Sequence, residues 1–139
     1  MVGAAAEFLP RYARAGDAGA DLRITETVTL QPGERVLVGT GVRLALPPGT
    51  VGMLTPRSGN AARQGLGIVN SPGIIDSGYR GEIRICLINL DATKAVELQA
   101  GERVAQLVIV PFISAQFTPV AELDETERGR GGYGSTGQQ

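Results

Sequence analysis

The C-terminal end of the chain combines several groups that can bind a phosphate. Residues 128–139 hold glycines whose backbone N–H groups can converge on an anion, a guanidinium fork at Arg128, and a hydroxyl at Ser135 beside Gly134. The ring of Tyr133 could stack on a nucleobase. A segment so poor in apolar residues cannot order itself, so it is either an arm that a ligand orders or an unstructured terminus.

Four further segments gather polar residues where a β-domain usually keeps only turns. Each segment alone could be an ordinary loop or hairpin tip. Together with the C-terminal end they supply arginines and hydroxyls for phosphate, the isolated carboxylates Asp21 and Asp76 for a metal or a base, and Tyr79 for stacking. This set of groups suits a nucleoside polyphosphate. The four segments are residues 15–22, 56–59, 73–82 and 101–107.

The amino-acid composition restricts the chemistry further. The chain has no histidine, so Ser-His catalysis, Cys-His catalysis and zinc-histidine sites are excluded. Acid–base catalysis must then use carboxylates or tyrosine. The single cysteine, Cys86, lies in an apolar run, which excludes a disulfide within one chain and predicts an inert core thiol.

The charge pattern favours a small anionic ligand. The formal net charge is -1 without any run of like charges, so we expect no nucleic-acid partner and no membrane partner. Every basic residue except Lys94 is arginine, the residue suited to bidentate recognition of phosphate. The N-terminal residues lack the features of a signal peptide, and no apolar run reaches membrane-spanning length. We therefore expect a soluble, cytoplasmic protein.

Short strands must position these groups, because apolar and polar residues alternate along much of the chain. The 20 glycines and 8 prolines among 139 residues mark frequent turns and leave little room for long helices. The pattern predicts an all-β jelly roll, sandwich or barrel in residues 1–120, followed by a flexible Gly-rich arm in residues 121–139. The predicted strands cover residues 22–30, 34–38, 42–46, 51–55, 67–70, 82–90 and 103–112.

One short helix is predicted at residues 58–65. Ser58 is a suitable N-cap, and Gly65 is placed to end the helix. The free N–H groups at the helix start, beside Arg57, could form an anion site, but the same pattern also fits an ordinary capped turn.

Two predicted strands are apolar on both faces, which a small domain cannot cover by itself. In residues 82–90, Ile85 and Leu87 share one face while Cys86 and Ile88 share the other. The surplus apolar surface indicates a homo-oligomer.

Gln106 lies in the second of these strands, on the same face as three valines. An unpaired amide buried there would cost about 1–3 kcal/mol, so we expect a backbone group or a ligand to pair with it.

The five segments, in this order and spacing, resemble the five motifs of the homotrimeric dUTP diphosphatase (dUTPase) family. The match runs from about residue 15 to residue 137 and departs at no motif position in chemical type. Tyr133 stands where the family carries an aromatic residue, often phenylalanine. The resemblance implies a jelly-roll-like β-barrel trimer with three sites at subunit interfaces. It also implies hydrolysis of dUTP to dUMP and pyrophosphate, with Mg²⁺ held on the triphosphate.

The resemblance also implies roles for individual residues. Asp76 matches the carboxylate that activates the water attacking the α-phosphorus, although a turn-capping aspartate would look the same in isolation. Asp21 matches an aspartate that acts on Mg²⁺ through water, so no side chain is expected to ligate the metal directly.

The positions that match substrate-binding residues fall into three groups. A closely fitted hairpin can pair with the uracil edge and exclude thymine and cytosine, and Tyr79 can exclude a ribose 2′-hydroxyl by packing on the deoxyribose. Arg84 falls at a substrate-contacting position of the same hairpin, where a solvated strand arginine is a comparable alternative. The positions are Arg57, Ser58, Gly59 and Gln106 for phosphate; Asn70, Gly73, Ile74, Ile75, Asp76, Tyr79 and Arg84 in the hairpin; and Arg128, Tyr133, Gly134 and Ser135 in the arm.

Two other functions remain open from the sequence. A dCTP deaminase resembles the family in fold and phosphate motif but reads cytosine and needs different catalytic residues. A non-catalytic trimer could bind nucleotide without hydrolysing it. Product analysis with dUTP and dCTP separates the three functions.

Overall fold

Nine strands and one short α-helix make up the described part of the chain, residues 6–127 and 129–130 of a computed structural model. One turn of 3-10 helix, Ala6–Phe8, precedes them. The helix α1 is Ser58–Gln64. The strands are β1 Gly19–Arg23, β2 Val28–Leu30, β3 Arg35–Gly39, β4 Thr50–Pro56, β5 Leu66–Ile68, β6 Gly73–Ile75, β7 Arg84–Asn89, β8 Val96–Leu98 and β9 Arg103–Pro111.

The strands form three antiparallel sheets. The largest sheet has the order β1-β9-β4-β6, a second has the order β3-β7-β5, and β2 pairs with β8. These sheets enclose one apolar core, so the all-β, jelly-roll-like class is confirmed. Hydrogen bonding does not join the described strands into one closed barrel.

The alternation of side chains along β4 and β9 builds the core. Leu54 lies opposite Leu107, and both are buried. Gly52 pairs with Ile75 on the same inner face, where an added Cβ would lie 3.0 Å from Leu107 Cδ1. A side chain at this position would therefore have to displace Leu107 at a close contact between neighbouring strands.

Strand β7 buries only one of its apolar faces. Ile85 and Leu87 are fully buried, as the period of two predicts, whereas Ile88 is half-buried and Leu90 is 68% exposed. Cys86 is also only half-buried, so the prediction of a core thiol is wrong. Its side chain lies on the outer face of the three-stranded sheet, opposite Leu37.

Two predicted strands differ from those observed, and two observed strands have no predicted counterpart. Residues 42–46 form no strand, although Val42 and Leu46 are buried as the alternation predicts. Residues 22–30 divide between β1 and β2. The short strands β6 and β8 were not predicted.

The predicted helix exists, but its N-cap is wrong. Arg57 is the N-cap, with the extended backbone angles φ -81° and ψ 126°, and it makes no side-chain capping bond. Its carbonyl accepts the first helical bonds, from Asn60 N and Ala61 N, which makes Ser58 the first helical residue. The end is confirmed, because Gly65 adopts φ 64°, a left-handed conformation that glycine tolerates.

The chain leaves the four-stranded sheet after β9. Residues 112–127 are all exposed, including Ile113 at 92% and Phe117 at 93%. Apolar side chains this exposed lack a partner within their own described chain. Among the described residues, no helix is both long and apolar enough to span a membrane.

Candidate active site

An arginine-lined cleft of about 530 Å³ opens at one end of the four-stranded sheet. We call it the arginine cleft. It brings together three of the segments identified in the sequence, from β1, from the junction of β4 with α1, and from β9. Its lining residues are Ala13, Asp17, Ala18, Gly19, Asp21, Arg57, Ser58, Gly59, Arg63 and Gln106.

Asp21 binds two guanidinium groups at the wall of this cleft. Its Oδ1 accepts a hydrogen bond from Arg57 Nε at 2.7 Å, and its Oδ2 accepts one from Arg103 Nη1 at 3.0 Å. The Asp21 side chain is only 13% exposed, which strengthens both charge-assisted bonds. Two guanidinium groups thus share the carboxylate of Asp21, so this cluster of three side chains carries a net positive charge.

The register of β1 against β9 explains how Arg103 reaches this carboxylate. The pairing shifts between Leu22 and Arg23, so that Arg23 lies opposite Arg103. Such irregularities change the direction of nearby side chains. Arg57 is also tied to this strand end, because its Nη1 donates to the Arg103 carbonyl at 3.5 Å.

Gln106 lies in the same row of the sheet, directly opposite both Asp21 and Thr55. Its Nε2 donates to the Pro56 carbonyl over a long 3.4 Å, so the half-buried amide has the backbone partner that its burial requires. An added Cβ on Gly19 would lie 2.6 Å from Gln106 Oε1. Gly19 therefore leaves the space that this amide needs.

The first turn of α1 borders the other side of the arginine cleft. Ser58 is exposed there, and the guanidinium of Arg63 folds back over Gly59. An added Cβ on Gly59 would lie 3.0 Å from Arg63 Nη2. The helix thus adds a second guanidinium to the cleft beside Arg57.

A second cleft, of about 340 Å³, lies along β6 and the turn that follows it. We call it the hairpin cleft. All the hairpin residues predicted to contact substrate border it. Its lining residues are Leu37, Leu54, Asn70, Gly73, Ile74, Ile75, Asp76, Tyr79, Glu82, Ile83 and Arg84.

Pairing with β4 holds the hairpin against the body of the protein. Gly73 lies opposite Leu54, and Ile75 is buried toward the core, while Ile74 between them is 59% exposed. Asp76 follows directly and is exposed, with its carbonyl accepting a hydrogen bond from Tyr79 N at 3.0 Å. The Asp76 carboxylate thus lies at the edge of a rigid hairpin, accessible to water.

Arg84 has a structural contact as well as its place in the hairpin cleft. Its Nη2 donates to the Leu37 carbonyl at 3.2 Å, although the side chain is exposed. This bond fits the solvated strand arginine and leaves further donors free for a ligand.

The two clefts have no described lining residue in common. Asp76 and Tyr79 line one of them, whereas Arg57 and Gln106 line the other. Within one copy, the described residues predicted to bind substrate are thus divided between two clefts.

Some functional candidates fall outside the sequence predictions, and some predictions fall outside the described residues. Arg63 and Arg103 were not predicted, although the arginine excess and the polar segment at residues 101–107 pointed toward them. The predicted arm residues Arg128, Tyr133, Gly134 and Ser135 lie outside the described residues.

The described side chains offer a divalent metal few direct ligands. Within residues 6–127 and 129–130, no group of three or more His, Cys, Asp or Glu side chains could hold a metal ion. Asp21 faces the arginine cleft, but both of its oxygens already accept hydrogen bonds from guanidinium groups. This arrangement fits a metal carried by a phosphate ligand and contacted through water.

Nearly the whole chain matches one protein family. The dUTPase family model matches residues 6–137 of the 139. The chain belongs to the dUTPase family. The family inferred from the five polar segments is thus confirmed. Four of these segments are described by the structure, and residues from each of them line one of the two clefts.

Individual relatives agree with this membership. The deoxyuridine 5'-triphosphate nucleotidohydrolase of Cutibacterium acnes is 63% identical over 131 residues, covering 94% of this chain and 86% of the relative. The fold matches Staphylococcus bacteriophage 80alpha dUTPase with dUPNHPP at a TM-score of 0.87 and 33% identity, over 94% and 92% of the two chains.

A further structure is informative about metal. A mutant dUTPase from phage phi11 of S. aureus is described with a coordinated structural Mg(II) ion. It matches with a TM-score of 0.77 and 30% identity, over 84% of this chain and 92% of that chain.

Proposed function

We propose that this chain hydrolyses dUTP to dUMP and pyrophosphate, with the arginine cleft binding the triphosphate and the hairpin cleft reading deoxyuridine. The observation that carries the proposal is the charge of the arginine cleft. Arg57 and Arg63 line the cleft, and Arg103 is bound to Asp21 at its wall, so three guanidinium groups accompany the two carboxylates of Asp17 and Asp21. This leaves positive charge where a family member would bind phosphates.

The phosphate end of the site is built from rigid elements. Arg57 is fixed by its bond to Asp21, so its remaining N–H groups are oriented before a ligand arrives. Ser58 and Gln106 add a hydroxyl and an amide to the same cleft. Such preorganised donors stabilise phosphate charge as it develops in a transition state.

The base end uses backbone and shape. The hairpin from Gly73 to Asp76 offers backbone N–H and C=O groups at the edge of its cleft, beside the amide of Asn70. These groups can pair with the edge of uracil, and a close fit leaves no room for the methyl group of thymine. Tyr79 forms the wall that excludes a ribose 2′-hydroxyl.

Asp76 is the general base in this proposal. Its carboxylate accepts a proton from water as the water oxygen forms a bond to the α-phosphorus. The bond from the α-phosphorus to the bridging oxygen breaks at the same time, and pyrophosphate leaves with the bonding electron pair. The products are dUMP and pyrophosphate, and the proton remains on Asp76 until solvent removes it.

Mg²⁺ fits the donor set as a companion of the triphosphate. The ion would neutralise phosphate charge when bound, while Asp21 holds the water shell rather than the metal itself. The occupied oxygens of Asp21 support this indirect role.

A homotrimer completes each site in this proposal. The outer face of the four-stranded sheet is polar at the row of Asp21, Gln106 and Thr55 and apolar beyond it. That apolar face is half-buried or exposed in one copy and consists of Val51, Met53, Ile74, Val108 and Val110. Burying it between copies would bring the arginine cleft of one subunit toward the hairpin cleft of another.

The C-terminal arm is assigned from the family resemblance. Arg128 would contact the γ-phosphate, and Tyr133, with Gly134 and Ser135, would cover the uracil. Residues 121–139 would then act as a lid that excludes water during the reaction. A cytoplasmic location stays a prediction.

One assay tests the proposed reaction. The full-length chain is incubated with Mg²⁺ and either dUTP, dCTP or UTP, and pyrophosphate, nucleoside monophosphate and ammonia are measured. We expect pyrophosphate and dUMP from dUTP and far slower release from UTP. Ammonia from dCTP would instead indicate a deaminase, and binding of dUTP without product would indicate a non-catalytic nucleotide-binding protein.

A further inference from the structure

The Tyr79 side chain is hydrogen-bonded to the backbone of its own hairpin. Its hydroxyl donates to the Glu82 carbonyl at 2.9 Å, three residues further along the chain. The side chain is 47% exposed, so one side of the ring faces solvent and the hairpin cleft. The ring therefore has a defined position before any ligand binds.

Gly81 leaves room for the Tyr79 ring in this position. A Cβ added there would lie 2.5 Å from Tyr79 Cζ and 2.9 Å from Cε2, closer than a real Cβ approaches other atoms. Backbone conformation is not the reason for the glycine, since Gly81 is not among the glycines with positive φ. The reason is the aromatic ring lying across the glycine.

A hydrogen bond to the loop after β3 fixes Glu82. Its Oε1 accepts a hydrogen bond from Gly41 N at 2.7 Å, which connects the hairpin to the loop after β3. Gly39 leaves space for this carboxylate, because a Cβ there would lie 2.7 Å from the same oxygen. The carbonyl that receives the Tyr79 hydroxyl therefore belongs to a fixed residue.

We propose that Gly81 is a positioning residue that sets the sugar specificity of this enzyme by keeping the Tyr79 ring on the Gly81–Glu82 backbone. The inference rests on the proposed role of Tyr79 as the wall beside the deoxyribose. A methyl group at Gly81 displaces the Tyr79 ring and breaks the hydrogen bond from its hydroxyl to the Glu82 carbonyl. The half-exposed ring can swing into solvent, so the hairpin fold survives while the wall opens.

The same hairpin provides a matched control. An added Cβ at Gly78 meets nothing within 4 Å, and Gly78 also has no positive φ. Gly78→Ala and Gly81→Ala thus add the same methyl group three residues apart, with only Gly81→Ala reaching the ring. The full-length enzyme carries each variant.

The first measurement is the ratio of kcat/KM for dUTP to kcat/KM for UTP. Gly81→Ala lowers this ratio by about tenfold or more, because the displaced Tyr79 ring leaves room for the ribose 2′-hydroxyl. Gly78→Ala keeps the ratio within about twofold of wild type, because it changes no contact with the ring. A purely structural effect would lower both kcat/KM values together and leave the ratio unchanged.

The second measurement locates the ring without substrate. Nuclear Overhauser contacts between the Tyr79 ring and the Gly81 backbone are strong in wild type and in Gly78→Ala, and Gly81→Ala loses the corresponding contacts. Tyr79→Phe covers the case in which Gly81→Ala fails to fold. It loses only the hydroxyl bond to Glu82 and narrows the ratio by a smaller factor than Tyr79→Ala does.

The outcomes separate this inference from the function on which it rests. A narrowed ratio in Tyr79→Ala with an unchanged ratio in Gly81→Ala overturns the positioning role of Gly81 but keeps that of Tyr79. An unchanged ratio in Tyr79→Ala removes the sugar wall itself, and the specificity role of Gly81 with it. If Gly81→Ala does not fold, a Tyr79→Phe ratio equal to wild type also overturns the inference.

Discussion

At the scale of single residues, the position of Asp76 determines what its carboxylate can do. It is exposed directly after β6, and the pairing of that strand with β4 fixes the backbone on its N-terminal side. A carboxylate that stays in contact with water, yet is held by a rigid hairpin, can accept a proton from an attacking water.

We predict that Asp76→Asn lowers kcat for dUTP hydrolysis by about 100-fold to 10,000-fold. The amide keeps the shape of the side chain but cannot take the proton, so dUTP should bind with nearly wild-type affinity. Steady-state pyrophosphate release measures the first quantity, and calorimetric titration measures the second. Glu97→Gln removes an exposed carboxylate of β8 outside both clefts and is the control for the general effect of removing a carboxylate. Turnover of Asp76→Asn within tenfold of wild type would remove Asp76 as the base.

At the scale of elements, the end of α1 depends on a glycine for two separate reasons. Gly65 has φ 64°, and an added Cβ would lie 2.8 Å from the backbone N of Asp91. Gly33 has φ +76° with nothing within 4 Å of the same position. The two glycines therefore separate the cost of the left-handed conformation from the cost of a steric clash.

We predict that Gly33→Ala lowers the free energy of unfolding by about 1–2 kcal/mol, the usual cost of a left-handed alanine. Gly65→Ala should lose clearly more, because the backbone at Asp91 must also move. Urea denaturation of both variants measures the difference. Equal losses would mean that the contact at Asp91 relaxes without cost.

The turn between β7 and β8 contains Asp91, whose carboxyl pKa is lowered in the folded protein. Hydrogen bonds from the backbone N–H of Thr93 and of Lys94 hold the pKa of Asp91 below its usual range, because both stabilise the carboxylate form. A depressed folded-state pKa contributes stability that is fully present above the unfolded pKa and is lost as pH falls through the folded value.

We predict that Asp91→Asn removes this pH dependence. Wild type should lose stability relative to the variant as pH falls below about 3.8, the ordinary value for aspartate, while their difference stays constant at neutral pH. Chemical denaturation of both proteins from strongly acidic to neutral pH tests this. Parallel pH profiles throughout that range would show that the turn does not contribute.

The sequence predicted burial better than it predicted hydrogen bonding between strands. Val42 and Leu46 are buried as their alternation indicates, yet residues 42–46 form no strand. The period of two reports which side chains face inward, whereas a strand also needs a neighbour to pair with. Near this segment Ile83 N donates to the Val42 carbonyl, but no ladder continues, and the two prolines that follow lack N–H donors.

The candidate site shows the same limit. The polar segments around Asp21, Arg57 and Gln106 could be identified from the sequence, because each gathers polar residues where a β-domain usually keeps only turns. Their grouping into one cleft could not, since it depends on which residues of β1 and β4 lie opposite Gln106. The bond from Arg103 to Asp21 depends further on a register shift that no local pattern announces.

At the scale of the whole molecule, the separation of the two clefts is the central observation. One copy places Asp76 and Arg57 in different clefts with no described lining residue in common. The half-buried apolar face beside the arginine cleft gives a second copy a surface to pack against. We therefore propose that each site combines Asp76 from one subunit with Arg57 from another.

Mixing two inactive variants tests this arrangement. Asp76→Asn lacks the base, and Arg57→Gln lacks the guanidinium bound to Asp21, so each homotrimer should be nearly inactive. After subunit exchange at equal concentrations, a site works only where the hairpin comes from an Arg57→Gln chain and the arginine cleft from an Asp76→Asn chain. Random assembly of a closed three-fold ring satisfies this at roughly a quarter of the sites.

We therefore predict that pyrophosphate release recovers to about a quarter of the wild-type rate per chain, provided that sites act independently. A double variant carrying both substitutions, mixed with wild type under the same conditions, is the matched control, and native mass spectrometry of both mixtures establishes that mixed trimers have formed. Each double-variant chain lacks both Asp76 and Arg57. In fully exchanged trimers, sites shared between subunits would retain roughly a quarter of the wild-type rate. Sites built from one chain would retain roughly half. If mixed trimers are detected, the control settles near half and the two single variants fail to complement, Asp76 and Arg57 serve one site from the same chain, and the shared-site arrangement is wrong.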